Sequence, residues 1–487
     1  MGRKLKFVLS DLHLGAGRRE SNYLEDFTVD SQLARFLQAV GQESERDQRE
    51  VELIINGDLF EFLQVPAVEN YDPTVHYPSE AYLDSSESAS IKRLNLIAEG
   101  HPEVFNALSD FIHVETPARR ITVIKGNHDV NLYWSGVKAR LREVLGASGS
   151  RSSLLLFAEE FVSREKIYVE HGHQRTEKMN CYHDFLDPRW PNDLSQLYYP
   201  VGSRFAIDFS NRMGQECWFI DNIKPITTLI WYALHWDFEF AAGMLAQFIR
   251  HTPALVVSDF GLNDMAAFSQ DAWLRQLEDP AVRRELAERY VADPDFRHQF
   301  HQQMQQYLSD ATAISRDPIL APPAEVSSDP LVMGRADQLQ QQAALHRAAE
   351  EIARQQGARV VVFGHTHFPT QETLETGGVY INTGCWLRDL SSASPEIWQG
   401  IFEGSQPYSD LPPRLPYARI DYDEENNPSA QLLYFAEEPA EPNPAPETQS
   451  ESKRRGFLGK SFTWFGRLLL MVNSLVGTGN QRTILNG

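Results

Sequence analysis

Apolar residues in this chain fall into short clusters of two kinds, and each kind predicts an element. Leu5–Leu9, Val51–Ile55, Ile121–Ile124, Lys166–Glu170 and Arg359–Phe363 are rich in β-branched and other apolar side chains, too short for helices, and stop at polar or glycine-containing turns. Such runs predict buried strands. Apolar positions three and four residues apart over Ser31–Val40 and Phe105–Ile112, and the Ala/Gln-rich stretch Asp337–Gln356, predict helices instead. Two further strand-like stretches, Tyr417–Tyr422 and Gln431–Phe435, come late. Residues 66–90 are polar and turn-rich and are expected to form a loop, and Glu43–Asp47 reads as a charged stretch after the first helix. Strands alternating with helices predict an α/β fold with a layered core.

The fourth and fifth strands are separated by a long insert, residues 174–357. Its first part is aromatic and apolar, around Cys217–Ile220 and Leu229–Leu234, with polar interruptions at Lys224, His235 and Asp237. No stretch reaches the roughly 20 apolar residues that cross a bilayer. The run reads either as the buried helices of a cap or as an apolar groove that holds acyl chains. Residues 263–313 read as polar helices, and Pro318, Pro322, Pro323 and Pro330 mark a loop. The organisation expected is therefore a core over 1–173 and 358–436, a mostly helical insert over 174–357, a Glu/Pro/Ser-rich linker over 437–452, and a C-terminal segment over 453–487. That last segment carries Lys453, Arg454, Arg455, Lys460, Arg467 and Arg482, no acidic residue, and interleaved Phe457, Trp464, Leu468 and Leu469. Basic and aromatic residues mixed in this way predict peripheral contact with an anionic membrane surface, the alternative being docking on the acidic body.

Candidate chemistry lies just past the five strands. Asp11-Leu12-His13, Gly57-Asp58, Gly126-Asn127-His128-Asp129, His171-Gly172-His173 and Gly364-His365-Thr366-His367 each follow one of them. One such motif alone is an ordinary turn, but five at strand carboxyl ends, where α/β sheets bind ligands, point to one metal site. Carboxylates, imidazoles and one amide are a mixed oxygen and nitrogen ligand set that suits Mn, Fe or Zn better than calcium.

The order and spacing of these motifs resemble the calcineurin-like metallophosphoesterase superfamily, whose pattern runs D-x-H, G-D, G-N-H-D/E, H-G or G-H, then G-H-x-H. The match covers residues 5–174 and 359–390. Ser10–Gly15 and Gly57–Glu61 are most similar to the UDP-2,3-diacylglucosamine pyrophosphatase branch, which usually carries Arg where this chain has His128. The resemblance implies a layered β-sandwich core flanked by helices. It also implies two divalent metals, manganese first and iron or zinc next. Asp58 would bridge them, Asp11, His13 and His367 would complete one, and Asn127, His171 and His365 the other. His173 would line the cleft or stand behind the ligands, and Glu61 would either stand behind the ligands or begin a surface helix. His128 would act on the leaving group, and Asp129 would orient His128 or cap the following helix. The activity expected is hydrolysis of a phosphoester or diphosphate by a metal-bridging hydroxide, on a lipid-linked or nucleotide-linked substrate. The alternatives are a general phosphomonoesterase or phosphodiesterase and a non-catalytic scaffold.

Composition narrows the partners. The 487 residues carry 45 Lys and Arg against 67 Asp and Glu, a net charge of −22, which argues against a nucleic-acid partner. Cys181, Cys217 and Cys385 are too few for a disulfide framework, so a reducing, cytoplasmic setting is expected, peripheral at the inner face of the membrane. The first apolar run already delivers Asp11, so it is expected to stay in the working protein rather than act as a secretory signal.

Overall fold

A computed structural model describes residues 4–435 apart from 19–20, 164, 215–216, 218, 221, 249–275, 312–325, 389, 391–392 and 407–410. The linker and the basic segment expected over 437–487 lie outside the described residues. The fold is mixed α/β, built on two mixed sheets and many helices.

The first sheet runs β13-β12-β1-β2-β3-β4. Its strands are β1 (Lys4–Leu9), β2 (Glu50–Asn56), β3 (Arg119–Ile124), β4 (Leu155–Ala158), β12 (Pro416–Tyr422) and β13 (Pro428–Tyr434). The first four are parallel, and β12 and β13 close one edge antiparallel. The second sheet runs β10-β11-β9-β6-β5. It comprises β5 (Glu160–Ser163), β6 (Ile167–Glu170), β9 (Val360–Phe363), β10 (Thr370–Thr373) and β11 (Val379–Asn382), with β6, β9 and β11 parallel. A short hairpin, β7 (Arg189–Trp190) and β8 (Asp193–Leu197), opens the insert.

The period-two alternation of strands sorts the apolar residues. Val8, Ile54 and Ile124 of the first sheet share one buried cluster with Val169, Val362 and Ile381 of the second. Their neighbours Phe7, Leu53, Ile55 and Val123 point the other way and pack on Leu33, Phe36 and Leu108 of the Asp30–Asp47 and Pro102–Ile112 helices. On the far face of the second sheet, Tyr168, Val361 and Phe363 pack on Leu345, Ala349 and Ile352 of the Pro330–Gln356 helix.

The described part of the insert has its own core. Leu229, Ile230, Trp231 and Leu234 of the Ile226–Trp236 helix are buried against Met333, Phe240 and Met304. Trp398 and Phe402, from the Pro395–Phe402 helix that follows β11, join the same cluster. The boundary at 358 therefore divides the chain but not the packing. Among the described residues, no helix is long and apolar enough to cross a membrane. Pro330, expected in a loop, instead opens a 27-residue helix that Asp329 caps by accepting from Leu331 N–H at 2.9 Å. Proline fits that first turn because its missing N–H would have had no helical partner there. The charged Glu43–Asp47 stretch also continues its helix to Asp47, with most of its side chains toward solvent.

Candidate metal centre

The carboxyl ends of β1, β2, β3, β6 and β9 converge, and each delivers one motif. Pairing continues past the strands: Asp11 N–H donates to Gly57 carbonyl oxygen at 3.1 Å, and His13 N–H to Asp58 carbonyl oxygen at 2.9 Å. The second sheet is joined by Gly364 N–H donating to His171 carbonyl oxygen at 3.0 Å. Each carboxylate is aimed by a different motif. Asp11 accepts from His365 N–H at 3.0 Å, and Asp58 accepts from His128 N–H at 2.8 Å.

Three motif glycines leave space for the ligand side chains. A Cβ on Gly126 would lie 2.1 Å from Asp58 Oδ1, one on Gly364 2.6 Å from Asp11 Oδ2, and one on Gly57 2.3 Å from His171 Nδ1. Nine non-glycine residues among those described adopt positive φ, and five of them are Asp11, His13, Asp58, His365 and His367. Left-handed backbone costs free energy in such residues, and strain concentrated this way marks functional sites.

The side chains form overlapping groups suited to a metal: Asp11, His13 and His367; Asp58, His171 and His365; and His13, Asp58 and His128. Asp58 belongs to two of these. His13 Nε2 and His367 Nε2 lie 3.1 Å apart, with Asp11 Oδ1 3.4 Å from the latter. His171 Nε2 lies 3.0 Å from Asp58 Oδ2 and 3.1 Å from Asn127 Oδ1. The other nitrogen, His171 Nδ1, donates to Asn56 carbonyl oxygen at 2.9 Å, which fixes the tautomer and leaves Nε2 for a metal. All seven expected ligand residues are thus brought together. They are also buried, Asp11 completely and Asp58 and His171 each 1% exposed. Buried carboxylates require a charged partner.

The electrostatics fit a cation. Burial opposes ionisation of Asp58, yet His171 and His128 beside it outweigh that and hold it well below the usual carboxylate range. His171, despite burial, is pushed up to about 10 by Asp58 and Asp11. Burial, together with His171 and His173, drives His365 well down, and His367 falls to about 4, mainly through burial. His365 and His367 are therefore neutral imidazoles, the form that ligates metals.

Three residues outside the ligand set depart from or sharpen the expectations. His128 Nδ1 pairs with Glu61 at 2.6 Å, not with Asp129. The Asp129 carboxylate instead accepts from Gly126 N–H at 2.6 Å and Leu59 N–H at 2.9 Å, so it holds the turns bearing Asp58 and Asn127 and makes no side-chain cap. Burial and neighbouring Asp58 push its acid up to about 7. Glu61 also meets His13 Nδ1 at 2.8 Å, joining a ligand ring to His128 through one carboxylate. The signal for Glu61 was its offset three residues beyond Asp58, which the sequence left open between site and surface. His173 is outside the metal groups. It is 1% exposed, packed 4.5 Å from the Phe185 ring, with both ring nitrogens lacking hydrogen-bond partners among the described residues. Comparison with protein-family models and with curated proteins finds no match for this chain.

Proposed function

We propose that this protein is a metal-dependent hydrolase of phosphoesters or diphosphates, as its resemblance to the calcineurin-like metallophosphoesterases implies, with a β-sandwich core flanked by helices. The observation that carries the reading is the convergence of two carboxylates, one amide and four imidazoles from five strand ends on one buried point. Bound divalent ions, manganese in the first instance, would supply Lewis-acid polarisation of the phosphoryl group and acidify the attacking water. Asp11, His13 and His367 would hold one ion, Asn127, His171 and His365 the other, and Asp58 both.

The remaining steps belong to the chain itself. The attacking water gives up one proton to solvent and its oxygen bonds to phosphorus, while the bond from phosphorus to the leaving oxygen breaks, its electron pair staying on that oxygen. His128 stands at the site with Nδ1 held by Glu61, which leaves Nε2 to give the leaving oxygen its proton. Asp129 keeps the Asp58 and Asn127 turns in register. The test is Mn²⁺-dependent hydrolysis of aryl phosphate, bis-aryl phosphate, nucleotides and a UDP-linked acylated sugar by wild type and Asp58→Ala. The expected outcome is turnover of at least one of these, reduced about 10³-fold or more in the variant. No turnover on the whole panel with saturating Mn²⁺ sinks the proposal.

A further inference from the structure

One cavity runs from the metal centre into the insert. Asn127, His128 and His365 line its metal-centre side, and its volume is about 70 Å³. That is room for only a few waters. Because His128 lies on its wall, the group released at the His128 side of the phosphate is the group that enters it.

The far end of this cavity is polar and buried. Glu177 is 2% exposed and Gln341 3% exposed. Gln341 Nε2 donates to Glu177, and Gln341 Oε1 is buried without a hydrogen-bond partner among the described residues. Lys224 also lines the space. Met179, Phe205 and Ile223 make the sides apolar. Gln341 sits on the Pro330–Gln356 helix, and β9, the next element, ends at Phe363, two residues before His365.

We propose that this cavity selects the leaving group, and that the group it selects is a small neutral polyol of about glycerol size, esterified to the phosphate. This rests on the hydrolase reading above. An unfilled buried acceptor beside a carboxylate calls for ligand hydroxyls to donate to both, because buried polar atoms without partners cost free energy. Apolar sides suit the carbon face of a polyol. Glu177 and Lys224 put one acidic and one basic side chain on the same lining, so the site favours neither a cationic nor an anionic alcohol. The volume is far too small for acyl chains, so this space is not the acyl groove that the apolar insert suggested.

The experiment compares glycerol phosphate with n-propyl phosphate, which matches it in carbon count and lacks the two hydroxyls. It uses the full chain with Mn²⁺, as wild type, Gln341→Leu, Glu177→Gln and Asp58→Ala. The expected result is a wild-type preference for glycerol phosphate of at least about 10-fold in kcat/KM. Gln341→Leu and Glu177→Gln should each narrow that preference, with thermal melts checking that both variants fold. Equal or better cleavage of propyl phosphate by wild type, dependent on Asp58, overturns the polyol assignment and leaves the hydrolase reading standing. A preference unchanged in both folded variants also overturns it. No Asp58-dependent cleavage of either ester overturns the polyol assignment, and only failure on the whole panel above brings down the hydrolase reading with it.

Discussion

Glu61 is the residue on which two roles meet. Its carboxylate, kept ionised by His128 and His13 against the cost of burial, accepts from His13 Nδ1 and His128 Nδ1. It therefore fixes which nitrogen of each ring is left for a metal or a substrate. Carboxylates placed behind a ligand imidazole raise its basicity, and their loss costs about 10–100-fold in metal affinity or activity. Both rings meet the same oxygen, Oε2, and Glu61→Gln keeps the shape but removes the charge from it. We expect its Mn²⁺ affinity, followed by electron paramagnetic resonance of the free ion, to fall about 10–100-fold, and kcat to fall beyond what metal saturation restores. A variant whose kcat recovers fully at saturating Mn²⁺ would show that Glu61 serves the ligand His13 alone.

Between elements, the clearest electrostatic strut is far from the metals. His101 stands between the Glu87–Gly100 and Pro102–Ile112 helices, 1% exposed, with Nδ1 2.7 Å from Asp30 and Nε2 3.4 Å from Glu25. Glu25 in turn accepts from Gly17 N–H at 2.6 Å, so the pair braces the loop that follows Asp11 and His13. Burial works against a charge on His101, but Asp30 and Glu25 overcome it and push the ring up to about 10. A raised histidine stabilises the fold fully below its unfolded value of about 6.5 and loses that contribution as pH climbs toward 10. The loss is on the order of 4 kcal/mol at most. In urea unfolding at pH 6 and pH 10, the wild type should lose more stability than His101→Gln, which carries no such proton. Equal losses in the two proteins would rule the strut out. The same scale shows what the sequence made legible. The five motif strands were readable because parallel strands covered on both faces are continuous apolar runs. The edge strands β4, β5 and β10 were not: Leu156 and Val162 are exposed, and β10 is Thr-Gln-Glu-Thr with three exposed residues, a sequence that also reads as loop. The candidate metal ligands were legible as motifs, whereas Glu177, Lys224 and Gln341 come from three separate parts of the insert, and only packing brings them to one cavity.

For the whole molecule, the decisive fact is that the candidate ligand set straddles the two sheets. Asp11, Asp58 and Asn127 follow strands of the first sheet, and His171, His365 and His367 follow strands of the second. The Val8–Ile54–Val362 cluster between the sheets sets their spacing, so the unfolded chain cannot present these ligands together. A metal that binds only the native arrangement adds RT ln(1 + [L]/Kd) to stability, about 2.7 kcal/mol at one hundred times Kd. It also has to displace the proton that Asp58 and Asp11 hold on His171 in the metal-free protein, so binding should strengthen as pH rises from 6 to 8 and release at least one proton. Calorimetric melting with Mn²⁺ and with a chelator should show a metal-dependent rise in unfolding temperature, larger at pH 8 than at pH 6. Titration calorimetry in two buffers of different ionisation heat should count the proton released. Asp58→Ala removes the carboxylate shared by two of the groups, so its melting should be nearly indifferent to Mn²⁺. If that variant were stabilised as much as wild type, the metal would be binding somewhere other than the junction of the two sheets.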